Sequence, residues 1–224
     1  MLAFAPLDGA VGAATSVLSG IAVLITPVAG PFAMALAVVV FTIAVRLAVA
    51  PLSLAAVRGE RRRAAMLPKI QELQQRYAKQ PDRMREALAT LYREEGTTPL
   101  AGCLPALVQA PFFLVMYRTF TVAPPAGELW GVPLGHHLAQ GLGGAVLPLF
   151  GVLLLLLILL AVFFARRSRR QLGPQATGLA RLMPFMSFLT IPTALVLPLA
   201  ATLYLVTTTG WTALEHLVLR RSTH

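Results

Sequence analysis

The stretch FAMALAVVVFTIAVRLAVAPLSLAAV, from Phe32 to Val57, decides how this chain is read. A bilayer crossing needs about 20 apolar residues, and this segment is long and aliphatic enough to supply them. Its exceptions are Thr42, Arg46, Pro51 and Ser53. A guanidinium is not neutralised in practice, and one at mid-helix depth in lipid costs about 2.5–3.5 kcal/mol. Arg46 must therefore be hydrated or paired. One reading is a side chain that snorkels to the basic end of the span, about 9–16 Å of helix away. The sharper one is a wet, positively charged cavity inside the membrane, in line with the rule that intramembrane charges mark functional sites. Pro51 frees a backbone carbonyl and is expected to bend the cytoplasmic end.

The rest of the chain fits a membrane setting. Hydrophobic residues make up 57% of it and charged residues 12%, with a mean hydropathy of +0.72; an ordinary soluble domain carries about twice that charge. Its 224 residues allow for about five spans and exclude a second large soluble domain. A net charge of +10 would suggest nucleic acid in a soluble protein, but here its placement matters more. Apart from Arg46 and Arg118, every Lys and Arg lies between Arg58 and Arg93, between Arg166 and Arg181, or at Arg220 and Arg221. The positive-inside rule puts all three clusters in the cytoplasm. Residues 1–45 and 119–165 contain no Lys or Arg. The N-terminus lacks the basic start of a secretory signal, so no cleavage is expected there. The lone Cys103 excludes an intramolecular disulfide and reads as a small packed residue.

Taken in order, the sequence predicts an all-α polytopic membrane protein with five transmembrane helices, an N-terminal helix on the outer surface and a cytoplasmic helical hairpin between spans 1 and 2. Residues 1–31 form the outer N-terminal segment. Within it residues 7–29 are apolar but broken by Asp8, Thr15, Ser16, Ser19 and Pro27, which suits a helix lying along the membrane better than a sixth span, although both readings stand. Span 1 covers 32–57.

Residues 58–98 are the hairpin. Ile70, Leu73 and Tyr77 make one apolar stripe, Met84, Leu88 and Leu91 the other, and Gln80-Pro81-Asp82 the turn between them. Its cations Arg61, Arg62, Arg63, Lys69, Arg76, Lys79, Arg83 and Arg85 are candidates for docking lipid headgroups or a large anionic partner; a merely solvated hairpin is the alternative.

Span 2 (99–120) carries Pro99, Pro105, Pro111 and an interior Gln109. An outer loop (121–141) holds His136-His137, which cannot both face one metal from a regular helix and have no third ligand nearby; no metal site is expected. Span 3 (142–165) is uniformly apolar and suits lipid contact. After a cytoplasmic loop (166–181), Pro192 to Pro198 mark an outer turn between span 4 (182–197) and span 5 (198–219), and 220–224 form a cytoplasmic tail.

Catalytic signatures are absent: the chain has no P-loop, GxSxG or HExxH, and Ser, His and Asp are too scattered for a triad. Neither an enzyme nor a cofactor is expected. What remains is a set of polar residues inside spans: Thr42 and Arg46 on the first, Gln109 on the second, Tyr204, Thr207, Thr208 and Thr209 on the fifth. If these helices adjoin, the side chains line one hydrophilic groove. Ordinary interhelical hydrogen bonding is the bland account of Gln109 and the threonines.

TIAVRLAVAPL (Thr42 to Leu52), LPKIQELQQRYAKQPDRMREALATLYREEGTTPLAGCLPALVQAPFF (Leu67 to Phe113), and LMPFMSF and LPLAATLY near the C-terminus together resemble the YidC/Oxa/Alb membrane protein insertases. The likeness covers about residues 32–217, and its most specific parts are the arginine ahead of a proline and YREEGTTPLAGCLPALVQAPFF. It implies a five-span core with a groove open to cytoplasm and lipid but closed outward, Arg46 as the groove arginine and Gln109 on its wall. It further implies a bacterial plasma membrane location, nascent membrane protein clients received at the hairpin, ribosome and targeting factors as partners, and the Sec translocon as a further one. No specific DNA binding follows. The chain looks like the short form, without a large outer domain or a long basic tail.

Leu205 and Thr209 depart from the family's aromatic and Asn, Ala200 from its Gly, and Glu215 from its Gln. Such a protein would let a client's polar segment enter the groove and its apolar segment slide into lipid, driven by burial at about 25 cal/mol per Å² without ATP. A small anion transporter or channel using Arg46 is the rival, although no internal repeat supports it. A scaffold that uses only the basic hairpin is the third reading.

Overall fold

The computed structural model describes residues 5–78, 80–96, 104–121, 124–141, 143–172 and 183–221; of these, the side chains of 5, 6, 52–64, 104–112, 171, 172, 183 and 219–221 are not described. The chain is mostly helical. Helix α1 (Ala5–Ala29) leads through a 3-10 turn (Gly30–Phe32) into α2 (Ala33–Arg76), followed by α3 (Pro81–Glu94) and α4 (Leu104–Thr121). Two short strands, β1 (Glu128–Leu129) and β2 (Val132–Pro133), and a 3-10 turn (Leu138–Gln140) precede α5 (Val146–Leu172). Then come α6 (Met183–Met186), a 3-10 turn (Ser187–Leu189), α7 (Thr190–Val196) and α8 (Leu199–Arg221). Two compact units result, Met1–Ala48 with Phe113–His224 and Val49–Phe112.

In the first unit, buried residues of α1, α2, α4, α5, α7 and α8 form one core around Leu18, Val38, Phe120, Phe150, Leu157 and Leu199. Small residues such as Ala35, Ala37, Ala194 and Ala200 are fully or nearly fully buried there, which lets backbones approach as helices do in lipid. The outward side is just as apolar: Val152, Leu155 and Leu159 on α5 are each more than half exposed. A soluble domain seldom leaves such an apolar face bare, whereas lipid covers it. Two helical stretches, Leu7–Pro51 and Val146–Arg170, are long and apolar enough to cross a membrane, and Pro184–Val196 is a shorter apolar stretch made of successive short helical pieces.

Both ends of α1 meet neighbours belonging to one end of this unit. Near its start Asp8 Oδ1 lies 3.3 Å from Arg118 Nη1 in the last turn of α4. At its other end the 3-10 turn Gly30–Phe32 packs beside β1. Hydroxyls on the helices mostly serve their own backbone: those of Thr15, Ser16, Thr26, Thr119, Thr121 and Thr193 each donate to the carbonyl four residues back.

The loop after α4 departs from an all-α architecture. Trp130 (φ 51°) and Gly131 (φ 76°) both adopt left-handed conformations, and two such residues in sequence make the tight turn that pairs Leu129 with Val132 and Glu128 with Pro133. The Trp-Gly pair lacks the usual Asn-Gly signature, which hid this hairpin from the sequence reading. Backbone bonds then tie the loop to the α7–α8 junction, Leu199 N–H to His136 O at 3.0 Å and Ala200 N–H to Leu134 O at 2.9 Å. That junction is the extended Leu197 ahead of Pro198 (φ −78°, ψ 153°), as expected of a residue preceding proline.

Helix ends differ from the sequence expectation in two places. Helix α5 continues beyond 165 through Arg166 to Leu172, since arginine and glutamine favour helix. The region of span 4 is no single helix: α6, the 3-10 turn and α7 divide it.

The second unit contains the remainder of α2, with α3 and the start of α4. Helix α2 is continuous past Pro51 and Pro68. Gln80 precedes α3, Pro81 takes its first turn without sacrificing a hydrogen bond, and Asp82 and Arg93 sit at the ends that suit the helix dipole. Met66 and Leu91 are buried, and Lys69 Nζ meets Glu95 Oε1 at 2.5 Å.

Candidate functional site

On α2, Arg46 follows Thr42 by one turn, so both residues point to a similar side of the helix. They meet different surroundings. Thr42 is 2% exposed and gives its hydroxyl to Val38 O at 2.6 Å. Arg46 is half-buried and reaches across to α8, where Nε and Nη2 both donate to Thr208 Oγ1, at 2.7 and 2.5 Å. One hydroxyl thus accepts two charge-assisted bonds, and the guanidinium retains donors for other acceptors.

Around Thr208 the face of α8 carries a polar ladder. Tyr204, one turn before it, is buried with its ring 6.0 Å from that of Phe120. Thr212, one turn after, donates to Thr208 O at 3.0 Å. Further on, Trp211 Nε1 donates to Glu215 Oε1 at 2.8 Å. Tyr204 and Glu215 both lie within electrostatic reach of Arg46. Thr207 stands off this face: it is half-buried and donates to Leu203 O at 2.9 Å.

The structure thus brings Arg46, Thr208 and Tyr204 together, packs Thr42 inward and turns Thr207 to its own backbone. Gln109 lies on α4, with its side chain outside the described residues, as are those of Arg61, Arg62 and Arg63. Lys79 and Cys103 lie outside the described residues altogether. Trp211 and Thr212 escaped the sequence reading, although their spacings of four from Glu215 and Thr208 placed them on the same helix face. Leu205, a family departure, is buried in the core, and Ala200 sits where its N–H meets Leu134 O.

The hairpin's remaining candidates are solvent-facing. The Glu95 carboxylate hydrogen-bonds Lys69 and raises its pKa above the ordinary lysine value. Arg76 lies 5.9 Å from the Tyr77 ring centroid. Arg85 Nη1 is 3.8 Å from Asp82 Oδ1, and Arg83 is exposed. In the loop between α4 and α5, a ring nitrogen of His136 contacts Gly141 O at 3.3 Å and Nδ1 of His137 contacts Val196 O at 3.0 Å. Among the described residues no three His, Cys, Asp or Glu side chains are grouped to hold a metal.

The profile of the family described as 60Kd inner membrane protein matches residues 24–224. A membrane protein insertase YidC of Stutzerimonas stutzeri is 42% identical over 80 residues, 36% of this chain and 14% of that protein. One of Oceanobacillus iheyensis is 36% identical over 107 residues, 45% of this chain and 42% of its own. The inner membrane ALBINO3-like protein 2 of Chlamydomonas reinhardtii is 34% identical over 99 residues, 44% of this chain and 24% of its own. The chain therefore spans less than half the length of each of these relatives.

Proposed function

We propose, from the premise that this chain belongs to the 60Kd inner membrane protein family of YidC/Oxa/Alb insertases, that it inserts nascent membrane proteins through a hydrophilic groove built on Arg46. The observation that carries this reading is the Arg46–Thr208 contact: an obligate cation inside an apolar helix, held by a neutral hydroxyl and, among the described residues, contacted by no carboxylate. Such a group keeps its charge on offer to an incoming chain. Water around it shortens the lipid path for a client's polar segment, and its field attracts acidic residues in that segment. The client's apolar segment then partitions into lipid, where burial supplies the drive and no ATP is needed. The protein lowers a barrier to partition and performs no covalent chemistry.

The accompanying topology has five spans, with the hairpin and the basic clusters in the cytoplasm and the N-terminus outside. The placement of both ends of α1 supports a helix lying along the outer surface. Clients, anionic lipid, ribosome and targeting factors are the partners this implies, with the Sec translocon beside them. Gln109 enters as the resemblance's candidate on α4.

Single cysteines at positions 42, 46, 109 and 208 in a Cys103→Ser background, probed with a membrane-impermeant thiol reagent from each side, test this. Labelling of 46 from the cytoplasm alone is the expected result. Labelling from both sides points instead to a channel or transporter, and none from either side removes the wet groove. Cysteines at Ser16 and Leu24 should label only from outside; labelling of either one from the cytoplasm overturns the surface placement of α1.

A further inference from the structure

Of the nine acidic residues, six lie in residues 58–96, and Asp8 and Glu128 lie outside the predicted spans, which leaves Glu215 as the carboxylate within the last apolar helix. Its position is defined: half-buried, gripped by Trp211 Nε1 at 2.8 Å, and seven residues beyond Thr208 on the same face of α8. Seven residues of helix advance about 10 Å. Arg46 is anchored at the level of Thr208. The backbone of Glu215 thus lies about 10 Å beyond that of Thr208, while the bond to Trp211 draws its carboxylate back by up to one turn, so the groove carries a cation at Thr208 and an anion one to two turns of α8 further on, toward its cytoplasmic end.

We infer that Glu215 makes the groove selective for the order of charges in a client, so that it favours a polar segment whose acidic residue leads and whose basic residue follows about two to three positions behind. This deepens the insertase reading and rests on it. An extended chain advances about 3.3 Å per residue, so two to three residues span the one to two helical turns, about 5–10 Å, between the levels of the two protein charges. With the leading acid at Arg46, the trailing base meets Glu215 and both contacts are attractive. Reversing the order puts like charges opposite each other at both ends. A groove with Arg46 alone rewards an acid anywhere in the segment, because the chain can slide until that acid meets the cation. The second charge removes that freedom and fixes direction. Trp211 contributes by holding the carboxylate on this face through an i,i+4 hydrogen bond.

The test uses the full chain in proteoliposomes of defined lipid and two purified single-span clients with identical apolar segments and an N-terminal tail to be translocated. One tail reads Asp-x-x-Lys, the other Lys-x-x-Asp, and a third with Asn and Gln at those positions reports general insertion. The expected result is about a fivefold preference for the acid-first tail, the size expected of two charges meeting in a partly wetted site. Glu215→Gln should bring the two tails within about twofold of each other, each read relative to the uncharged tail on the same variant. Glu215→Lys should penalise the trailing base still further. Equal insertion of both orders by the native chain overturns the inference, as does a preference that survives Glu215→Gln. If the Gln variant fails on the uncharged tail as well, its folding is at fault, and Trp211→Phe, which releases the carboxylate but keeps the aromatic body, decides: the preference must fall. Failure of all three tails to insert above protein-free liposomes is a different outcome, refuting the insertase reading and this inference with it.

Discussion

Three threonines of the site differ in what their hydroxyls do, and replacing each by valine separates those roles. Valine keeps the branched shape and closely matches threonine's helix propensity, so the change is mainly the loss of an oxygen. Thr208 Oγ1 accepts from two nitrogens of Arg46. Hydrogen bonds to a charged partner contribute about 1.5–3 kcal/mol when dry, but Arg46 is only half-buried and water can take over part of the role, so the expected loss is about 1–2 kcal/mol. For a chain of this size that corresponds to about 2–8 °C in the midpoint of thermal unfolding. Thr207 and Thr42 instead donate to Leu203 O and Val38 O within their own helices. Those carbonyls keep their helical N–H partners, so Thr207→Val and Thr42→Val should lie within about 0.5 kcal/mol of the native chain. The assay is thermal unfolding of detergent-purified protein followed by size-exclusion chromatography. A Thr208→Val midpoint indistinguishable from that of Thr207→Val would refute the view that the Arg46 contact is a defined interaction.

Arg46→Ala should lower insertion of clients with acidic translocated tails about tenfold, the effect of losing a nearby charge in a partly wetted site, while Arg46→Lys stays close to native; complementation of an insertase-depleted strain reads this, and equal growth with the Ala variant contradicts charge attraction. Lys69 should titrate above 10.5, so its contribution to the hairpin is complete at neutral pH and disappears only as pH rises through that raised pKa; nitrogen-detected NMR of the lysine side chain should show Glu95→Gln returning it to the ordinary value. Gly127→Ala would place a methyl 2.6 Å from Met34 Cβ, so the loop or the start of α2 must shift; a loss of about 1–3 kcal/mol in the same unfolding assay is expected, and a neutral result would refute a tight approach of this loop to α2.

Much of the helical framework was legible because it rests on periodicity and breakers. The Gln80-Pro81 turn, the start of α3 and the break at Pro198 follow from proline's fixed geometry and the restraint it places on the preceding residue. The β-hairpin was not legible, since its turn depends on a tryptophan held at positive φ by its surroundings. The division of residues 183–196 into short helices was hidden for a related reason: an apolar run records burial but not local pitch. Within the site, Arg46 stood out in sequence because charge in an apolar run is costly. That Thr208, and not Thr207 or Thr209, receives it depends on the rotation of α8, which no single sequence position encodes.

The hydroxyls that answer to their own helix have a mechanical consequence. Thr15, Thr42, Thr119, Thr193 and Thr207 would each keep a partner if neighbouring helices moved apart, because that partner travels with them. Parting two helices in lipid costs little hydrophobic energy, since acyl chains solvate the newly bared aliphatic side chains about as well as a helix did. Between α2 and α8 the clasp of Arg46 on Thr208 then resists sideways opening. A client carboxylate that draws the guanidinium away would undo that clasp in the act of binding, so recognition of the passenger and lateral release of the door would be one event.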